Sequence, residues 1–325
     1  RLEAILSAMG CENEIRKGNW LEWAAKRDDV LPAPALPRPE PRPPVNARPR
    51  RLSVTRIETW IANPYAIFAA DILRLRKLDP LLAEPDSRMR GIIIHDALNV
   101  FSRTHSERLP EKIADELMRL ARLELDKAGA SPVIEAFWHP HIVHFAQWFA
   151  HSEPSRREGV ARVASEISGK LELPGSDFSL TGRADRIDIR DDGRLGFYDY
   201  KTGTVPTKSR VGALTAPQLP LEAAMAAQGA FPDIPEGNAA LLCYIRFLGR
   251  GEGGEEIDVG GDDPDALATR ALDNLQALVA AYARPEQHYA PLRRSRFKDS
   301  AAYRYDDYAH LARIAEWSIT GGDEE

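Results

Sequence analysis

Three charged side chains stand close together in the middle of the chain. Asp185 lies in GRADRID (residues 182–188), and Asp199 and Lys201 lie in DYKTG (residues 199–203). The segments that carry them alternate in polarity. From Ser179 to Arg190, Asp185, Ile187 and Ile189 share one face; from Leu195 to Lys201, so do Leu195, Phe197, Asp199 and Lys201. Asp191-Asp192-Gly193 between them suits a three-residue hairpin loop with its glycine in the left-handed region. That loop sets Arg190 opposite Arg194. Counting outward, Ile189 meets Leu195, Ile187 meets Phe197, and Asp185 meets Asp199. Like charges directly across a ladder repel. A divalent cation between the two carboxylates would relieve this, because hard cations take carboxylate oxygens. Lys201, on the same face, is placed to orient or deprotonate a water beside the ion. Two acids, a cation and a lysine are the parts of metal-dependent phosphodiester hydrolysis. An exposed hairpin with scattered charges has the same pattern, since Asp-x-Lys alone is a weak motif.

The elements around the hairpin must bring further groups to it. GIIIHDAL (residues 91–98) predicts a helix near residues 87–108, with Gly91, His95, Leu98 and Ser102 on one stripe. The glycine permits close approach to a sheet, and His95 points the same way. ARVASEISGKLELPG predicts a strand over 160–173 with Glu166 in its middle, either a further acid of the site or a paired glutamate at a sheet edge. APQLPLEAAMAAQG predicts a helix with Gln218 and Glu222 one turn apart. A strand is expected at Ala239–Phe247, another at Glu256–Val259, and a helix from Asp263-Pro264 through Tyr282. Thr55 and Glu58 read as a capping box.

GRADRID followed by DYKTG resembles the active-site hairpin of the PD-(D/E)XK nuclease superfamily, in its RecB-like branch. SVTRIETWIANPYAIF (residues 53–68), the Gly-x-x-x-His of the upstream helix and Gln218 extend the likeness. Residues 52–317 are similar to the nuclease domain at the C-terminus of AddB-type subunits of bacterial helicase–nucleases. The resemblance implies an α/β fold, a restriction-endonuclease-like core with a small mixed sheet flanked by helices and a helical insert at about 110–155. It implies that His95, Asp185, Asp199 and the Tyr200 carbonyl bind Mg²⁺ or Mn²⁺. Lys201 would steer the attacking water, and Gln218 would support the site and touch DNA. A tyrosine accompanies that glutamine in similar enzymes; here the position is Glu222. By resemblance the work is DNA cleavage in end resection and double-strand break repair. The implied partners are a single strand from an unwound end and the AddA helicase–nuclease subunit. A domain that has kept the hairpin but only binds DNA or scaffolds its partner is the alternative. Many relatives place a cysteine ligand of an iron–sulfur cluster immediately before the proline of that entry segment, where Asn63 stands, and three more near Tyr303, Tyr305 and His310. Cys11 and Cys243 alone cannot supply four thiolates, so no such cluster is expected.

Composition bounds the rest. The 325 residues carry a net charge of −6, with 43% hydrophobic and 28% charged residues, as in ordinary globular proteins. That balance argues against indiscriminate coating of nucleic acid and leaves room for a local basic groove. Arg183 and Arg186, flanking Asp185, are the first candidates for phosphate contacts, followed by Lys208 and Arg210. Basic clusters at Arg48, Arg50, Arg51 and Arg56 and at Arg293, Arg294, Arg296 and Lys298 read as solvated surface. Residues 1–30 read as the helical end of an upstream region, and residues 31–51, with eight prolines, as an extended linker. The nuclease-like domain is expected over 52–325, and a chain that starts at Arg1 reads as a piece of a longer protein. His139, His141, His144 and His151 cluster around Pro140 without a cysteine or acid to complete a zinc site. Two cysteines, no signal-peptide pattern and no apolar run of membrane-spanning length point to a reducing cytoplasm, and the resemblance implies a place beside the bacterial nucleoid.

Overall fold

The expected hairpin forms the centre of the sheet: β3 (Ser179–Arg190) turns through Gly193, at φ 79°, into β4 (Leu195–Lys201). Ile189 pairs with Leu195 and Ile187 with Phe197, as the loop length requires, and the ladder ends at Arg186 and Tyr198. In the computed structural model the described residues are 2–11, 19–28, 37–78, 87–129, 132–248, 251–291, 306–314 and 316–317. The basic cluster at Arg293, Arg294, Arg296 and Lys298, and Tyr303 and Tyr305, lie outside them.

Six strands form one mixed sheet. β1 (Arg51–Ser53) runs parallel to the start of β3, pairing with Ser179 to Thr181. β4 runs antiparallel to the far end of β3, on the same edge. Gly182 to Asp185 therefore lie in a gap between two neighbours, where the edge of β3 is left open for side-chain chemistry. β2 (Val160–Glu172) pairs along the opposite edge of β3. β5 (Ala239–Phe247) runs parallel to β4, and β6 (Gly254–Asp258), two residues earlier than expected, closes the sheet antiparallel to β5.

Helices cover both faces. Within residues 39–312 and in chain order, after α1 (Leu2–Ala8) and α2 (Trp20–Asp28) of the other unit, the described helices are α3 (Val54–Ala62), α4 (Pro64–Ile67), α5 (Ser87–Thr104), α6 (Ile113–Lys127), α7 (Pro132–Arg156), α8 (Lys208–Gly212), α9 (Gln218–Ala227) and α10 (Pro264–Tyr282). A π-helical turn, Phe68–Ile72, continues α4. One core lies between the sheet and α3, α9 and α10, and takes Leu180, Ala184, Ile187, Leu195 and Phe197 from the hairpin. The other lies under α5, α6 and α7, and takes Tyr198 and Tyr200 from β4 and Cys243, Ile245 and Phe247 from β5. The insert expected at 110–155 is thus α6 and α7, and it builds the second core. α10 begins where its sequence signal lies: Asp263 Oδ1 accepts from the Ala266 N–H at 2.9 Å, ahead of Pro264.

The pleat is not regular throughout. Ala184 and Ile187 face the same core although they are three residues apart, so alternation slips by one residue at Asp185–Arg186. β2 slips with it: Ala164 and Ile167, which pair with Ile187 and Ala184, also share that core, and Glu166 between them has φ 53°. Asp185 consequently does not continue the Ile187–Ile189 face, as strict alternation requires.

Two further expectations are corrected. The cap of α3 is Ser53, whose Oγ accepts from the Arg56 N–H, so Thr55 and Glu58 make no capping box. The proline-rich stretch is not a free linker over its whole length. Residues 39–312 form one compact unit, while 1–38 and 313–324 form another. Within the first unit, Arg48 donates to the carbonyls of Tyr282 (2.6 Å), Arg284 (2.7 Å) and Pro285 (3.0 Å), and the Tyr289 N–H donates to the Pro41 carbonyl. A guanidinium at the C-terminus of α10 satisfies carbonyls that the helix leaves free and complements its dipole. The C-terminal stretch is held to the α4 region by polar contacts: Asn63 to Asp306, Lys77 to Asp307, and the Tyr308 hydroxyl to the Leu75 carbonyl, each 2.9 Å.

Candidate active site

The parallel register of β4 and β5 sets Asp199 beside Tyr244 and Lys201 beside Arg246. Asp199 and Lys201 project on the face of the first core, toward the start of α9. Lys201 Nζ lies 2.7 Å from Asp199 Oδ2. Gln218, the first residue of α9, donates from Nε2 to Asp199 Oδ1 at 2.6 Å and to Glu222 Oε1 at 3.3 Å, and its Oε1 accepts from Lys201 Nζ at 3.5 Å. The Tyr244 ring closes the other side of Lys201, with its centroid 5.8 Å from Nζ.

On the opposite side, α5 reaches the sheet because Gly91 has no side chain. A Cβ there would stand 2.8 Å from Thr202 Oγ1, just past the end of β4. One turn on, His95 Nδ1 lies 3.5 Å from Asp185 Oδ2. That oxygen also accepts from the Tyr200 N–H at 2.9 Å, so the Asp185 carboxylate takes over the β3–β4 pairing where the ladder stops. Tyr200 itself turns its ring into the second core and meets His95 edge-on. Another turn along α5, Asn99 donates to Glu166 at 3.0 Å and accepts from Ser165, whose hydroxyl also contacts the Asp185 carbonyl. Glu166 is ion-paired to Arg183. Glu58 comes from α3, with Arg210 at 2.9 Å.

The site concentrates negative charge. Burial, and next the neighbouring Asp199 carboxylate, push Asp185 up to about 6, against the pull of His95, the Tyr200 N–H and Lys201. Burial, Asp199 and Asp185 push Glu222 well above the carboxylate range. Burial raises Glu58 despite Arg210. Burial works against the charge on Lys201, but Asp199 outweighs it, so the amine is held above its ordinary value. A lysine kept protonated is a poor base, which favours orientation over deprotonation for Lys201.

The chemistry of these donors suits a hard divalent cation. Asp199 Oδ2 is buried beside the Lys201 ammonium but receives no well-aligned hydrogen bond, and Asp185, Asp199 and Glu222 have Lys201 as their shared positive neighbour. No three His, Cys, Asp or Glu side chains converge as a ready-made metal cluster among the described residues, the four histidines around Pro140 included. His95 and Asp185 form one pair, and Asp199 stands toward Lys201.

The basic residues divide. Arg183 is exposed at the rim, and Lys208 is exposed at the start of α8. Arg210 is largely committed to Glu58. Arg186 is a correction: it is fully buried beneath the sheet and cannot reach a phosphate. Next to Ile187 in the strand, it points to the second face, where Nη1 donates to both Glu153 oxygens (2.9 and 2.8 Å) and Nε and Nη2 donate to Asp188 (2.6 and 2.9 Å). Glu58, Asn99 and Tyr244 escape the sequence reading as members of the site. Asn99 carries a usable signal, four residues beyond His95 on the same helical stripe, and Tyr244 shares the parity of Leu242 in β5.

Comparison with known proteins agrees in family and is thinner in detail. The profile of the PD-(D/E)XK nuclease superfamily matches residues 51–297. An uncharacterized protein of Rickettsia conorii is 28% identical over 284 residues, covering 82% of this chain and 34% of the relative. A protein of Rickettsia felis is 32% identical over 189 residues, covering 56% of this chain and 22% of the relative. A protein of Streptococcus agalactiae, named as one of the subunits of an ATP-dependent helicase/deoxyribonuclease, is 25% identical over 155 residues, covering 47% of this chain and 14% of the relative. The chain thus spans about a third or less of the length of these curated relatives.

Proposed function

The chain belongs to the PD-(D/E)XK nuclease superfamily, and from that premise we propose that it hydrolyses DNA phosphodiester bonds with a divalent cation. The observation that carries the reading is the Lys201–Asp199–Gln218 arrangement, three groups from two elements held within hydrogen-bond range, with the Asp185–His95 pair across from it. His95, Asp185, Asp199 and the Tyr200 carbonyl would hold Mg²⁺ or Mn²⁺, and the imidazole makes Mn²⁺ a good substitute. When bound, such a cation supplies an acidified water and a Lewis acid for the phosphate. The chain's own groups do the rest. Lys201 orients the nucleophile and offers positive charge where the phosphorane oxygens gain negative charge. Gln218 keeps Asp199 and Lys201 in register. Arg183 and Lys208 track the backbone of the strand without reading bases.

The streptococcal relative, named as part of a helicase/deoxyribonuclease, supports a finer reading. In it the domain acts as an exonuclease on a single strand unwound by an AddA-type helicase–nuclease partner, during end resection and double-strand break repair beside the nucleoid. Among the described residues no helix is long and apolar enough to cross a membrane.

The test is cleavage of end-labelled single-stranded DNA with Mg²⁺, Mn²⁺ or EDTA. Metal-dependent cutting that disappears in Asp185→Ala, Asp199→Ala and Lys201→Ala is expected. Wild-type rates in all three folded variants would overturn the assignment.

A further inference from the structure

α9 is buried along its length: Leu219 through Ala226 are all inaccessible, and every one is apolar except Glu222. An acid in such a place is costly unless it is hydrogen-bonded. Glu222 forms no ion pair among the described residues, and its hydrogen bond comes from Gln218 Nε2 at 3.3 Å. A primary amide has two N–H donors on one side and an oxygen on the other. Both donors of Gln218 are taken by carboxylates, Asp199 Oδ1 and Glu222 Oε1, and its oxygen is thereby turned to the Lys201 ammonium. Reversed, the amide would set its oxygen against the Asp199 carboxylate and its N–H groups against the Lys201 ammonium. Asp199 alone needs only one of the two N–H groups. The second acceptor is what removes the remaining freedom.

We infer that Glu222 is a positioning residue for the nuclease site: by accepting the second N–H of Gln218 it fixes the amide so that the amide oxygen holds Lys201 beside Asp199. The surroundings show what this placement works against, since burial and the charges of Asp199 and Asp185 all oppose ionised Glu222. The role depends on an acceptor oxygen at that point rather than on net charge. It separates Glu222 from groups that touch DNA, because its side chain is enclosed by α9 and the sheet. The catalytic consequence rests on the proposed nuclease activity; the amide geometry does not.

The experiment compares Glu222→Leu and Glu222→Gln in the full chain by two readouts. The first is the NMR signal pair of the Gln218 side-chain amide, assigned by its loss in Gln218→Ala and recorded without metal or DNA. The second is kcat and KM on single-stranded DNA with Mg²⁺. Glu222→Leu should collapse the separation of the amide signals and speed their exchange with solvent. It should lower kcat by about 10- to 100-fold while KM stays within about twofold, since a transition-state contact is loosened and DNA binding is not. Glu222→Gln keeps an oxygen acceptor and should recover most of both losses. Unchanged Gln218 signals in Glu222→Leu would overturn the inference. So would a Glu222→Gln variant whose Gln218 signals are lost, a result that stands even if Glu222→Leu fails to fold. If wild-type protein does not cut DNA, the nuclease reading falls, and the amide signals still decide the role of Glu222.

Discussion

Replacing Arg186 by leucine separates two roles that the sequence leaves superimposed, a grip on DNA and a strut inside the protein. The side chain is fully buried, bridges Glu153 on α7 to Asp188 on its own strand, and stacks over Tyr198 with Cζ 4.9 Å from the ring centroid. Removing one member of a buried ionic group costs about 3–5 kcal/mol, because the partners are left uncompensated. The two partners do not suffer equally. Glu153 keeps Arg156 at 2.8 Å and Arg157 at 2.6 Å, while Asp188 has no other ion pair among the described residues. The loss should therefore fall near the lower end, about 3 kcal/mol. Urea unfolding would read it as a lower midpoint at unchanged slope. Arg186→Leu with Asp188→Leu should regain part of the stability, because an apolar pair replaces a stranded carboxylate. Arg183→Ala, at the rim, should instead leave the midpoint in place and weaken binding of a single strand. If Arg186→Leu costs less than about 1 kcal/mol and mainly weakens DNA binding, the strut assignment is wrong.

Two other expectations use different measurements. Burial pushes Glu153 up, but Arg186, Arg156 and Arg157 together hold it down to about 2, against an ordinary value of 4.5. A depressed acid contributes stability that is complete above 4.5 and lost as the pH falls toward 2, so this group alone should account for roughly 3 kcal/mol of acid sensitivity; an acid titration of stability with the same profile in Glu153→Gln as in wild type would refute it. Gly91→Val should push α5 away from Thr202 and carry His95 from Asp185, lowering cleavage with little change in DNA affinity. The pair Gly91→Ala with Thr202→Ala should restore the contact and the rate, and a rate no better than that of Gly91→Val would refute the close-approach argument.

The hairpin is legible in the sequence because its signal is local. Two alternating segments and an Asp-Asp-Gly loop determine register, and Ile187–Phe197 and Ile189–Leu195 pair as counting predicts. The long helix from Pro264 is legible for the same reason, a capping aspartate followed by proline. Extrapolation along the strand is less reliable. Alternation assumes an unbroken pleat, and the slip takes Asp185 off the Ile187–Ile189 face on which counting places it. Nothing within β3 announces it; its partner irregularity is at Glu166, whose side chain signals chemistry and whose backbone signals nothing. Glu58 looks like half of a cap because an acid three residues after a threonine fits one, although Ser53 supplies it. The proline-rich stretch has the composition of a spacer, whereas the contacts that bind residues 39–50 to the chain come from residues some 240 positions later, beyond the reach of any local pattern.

The shared slip of β2 and β3 has a further meaning for how the sheet can vary. Because both strands lose one step of alternation at the same level, their hydrogen-bonded partners stay matched on either side: Ser165 with Arg186 and Ile167 with Ala184. The ladder keeps its count while shifting its phase. Deleting Glu166 or Asp185 alone would spoil the count, and deleting both together would keep it and cancel the phase shift. The segment thus behaves as a coupler between two half-strands of opposite sequence parity, so that Ala184 before it and Ile187 after it reach the same core. The acid that would serve catalysis sits at the joint itself, the one level where neither half dictates the direction of a side chain.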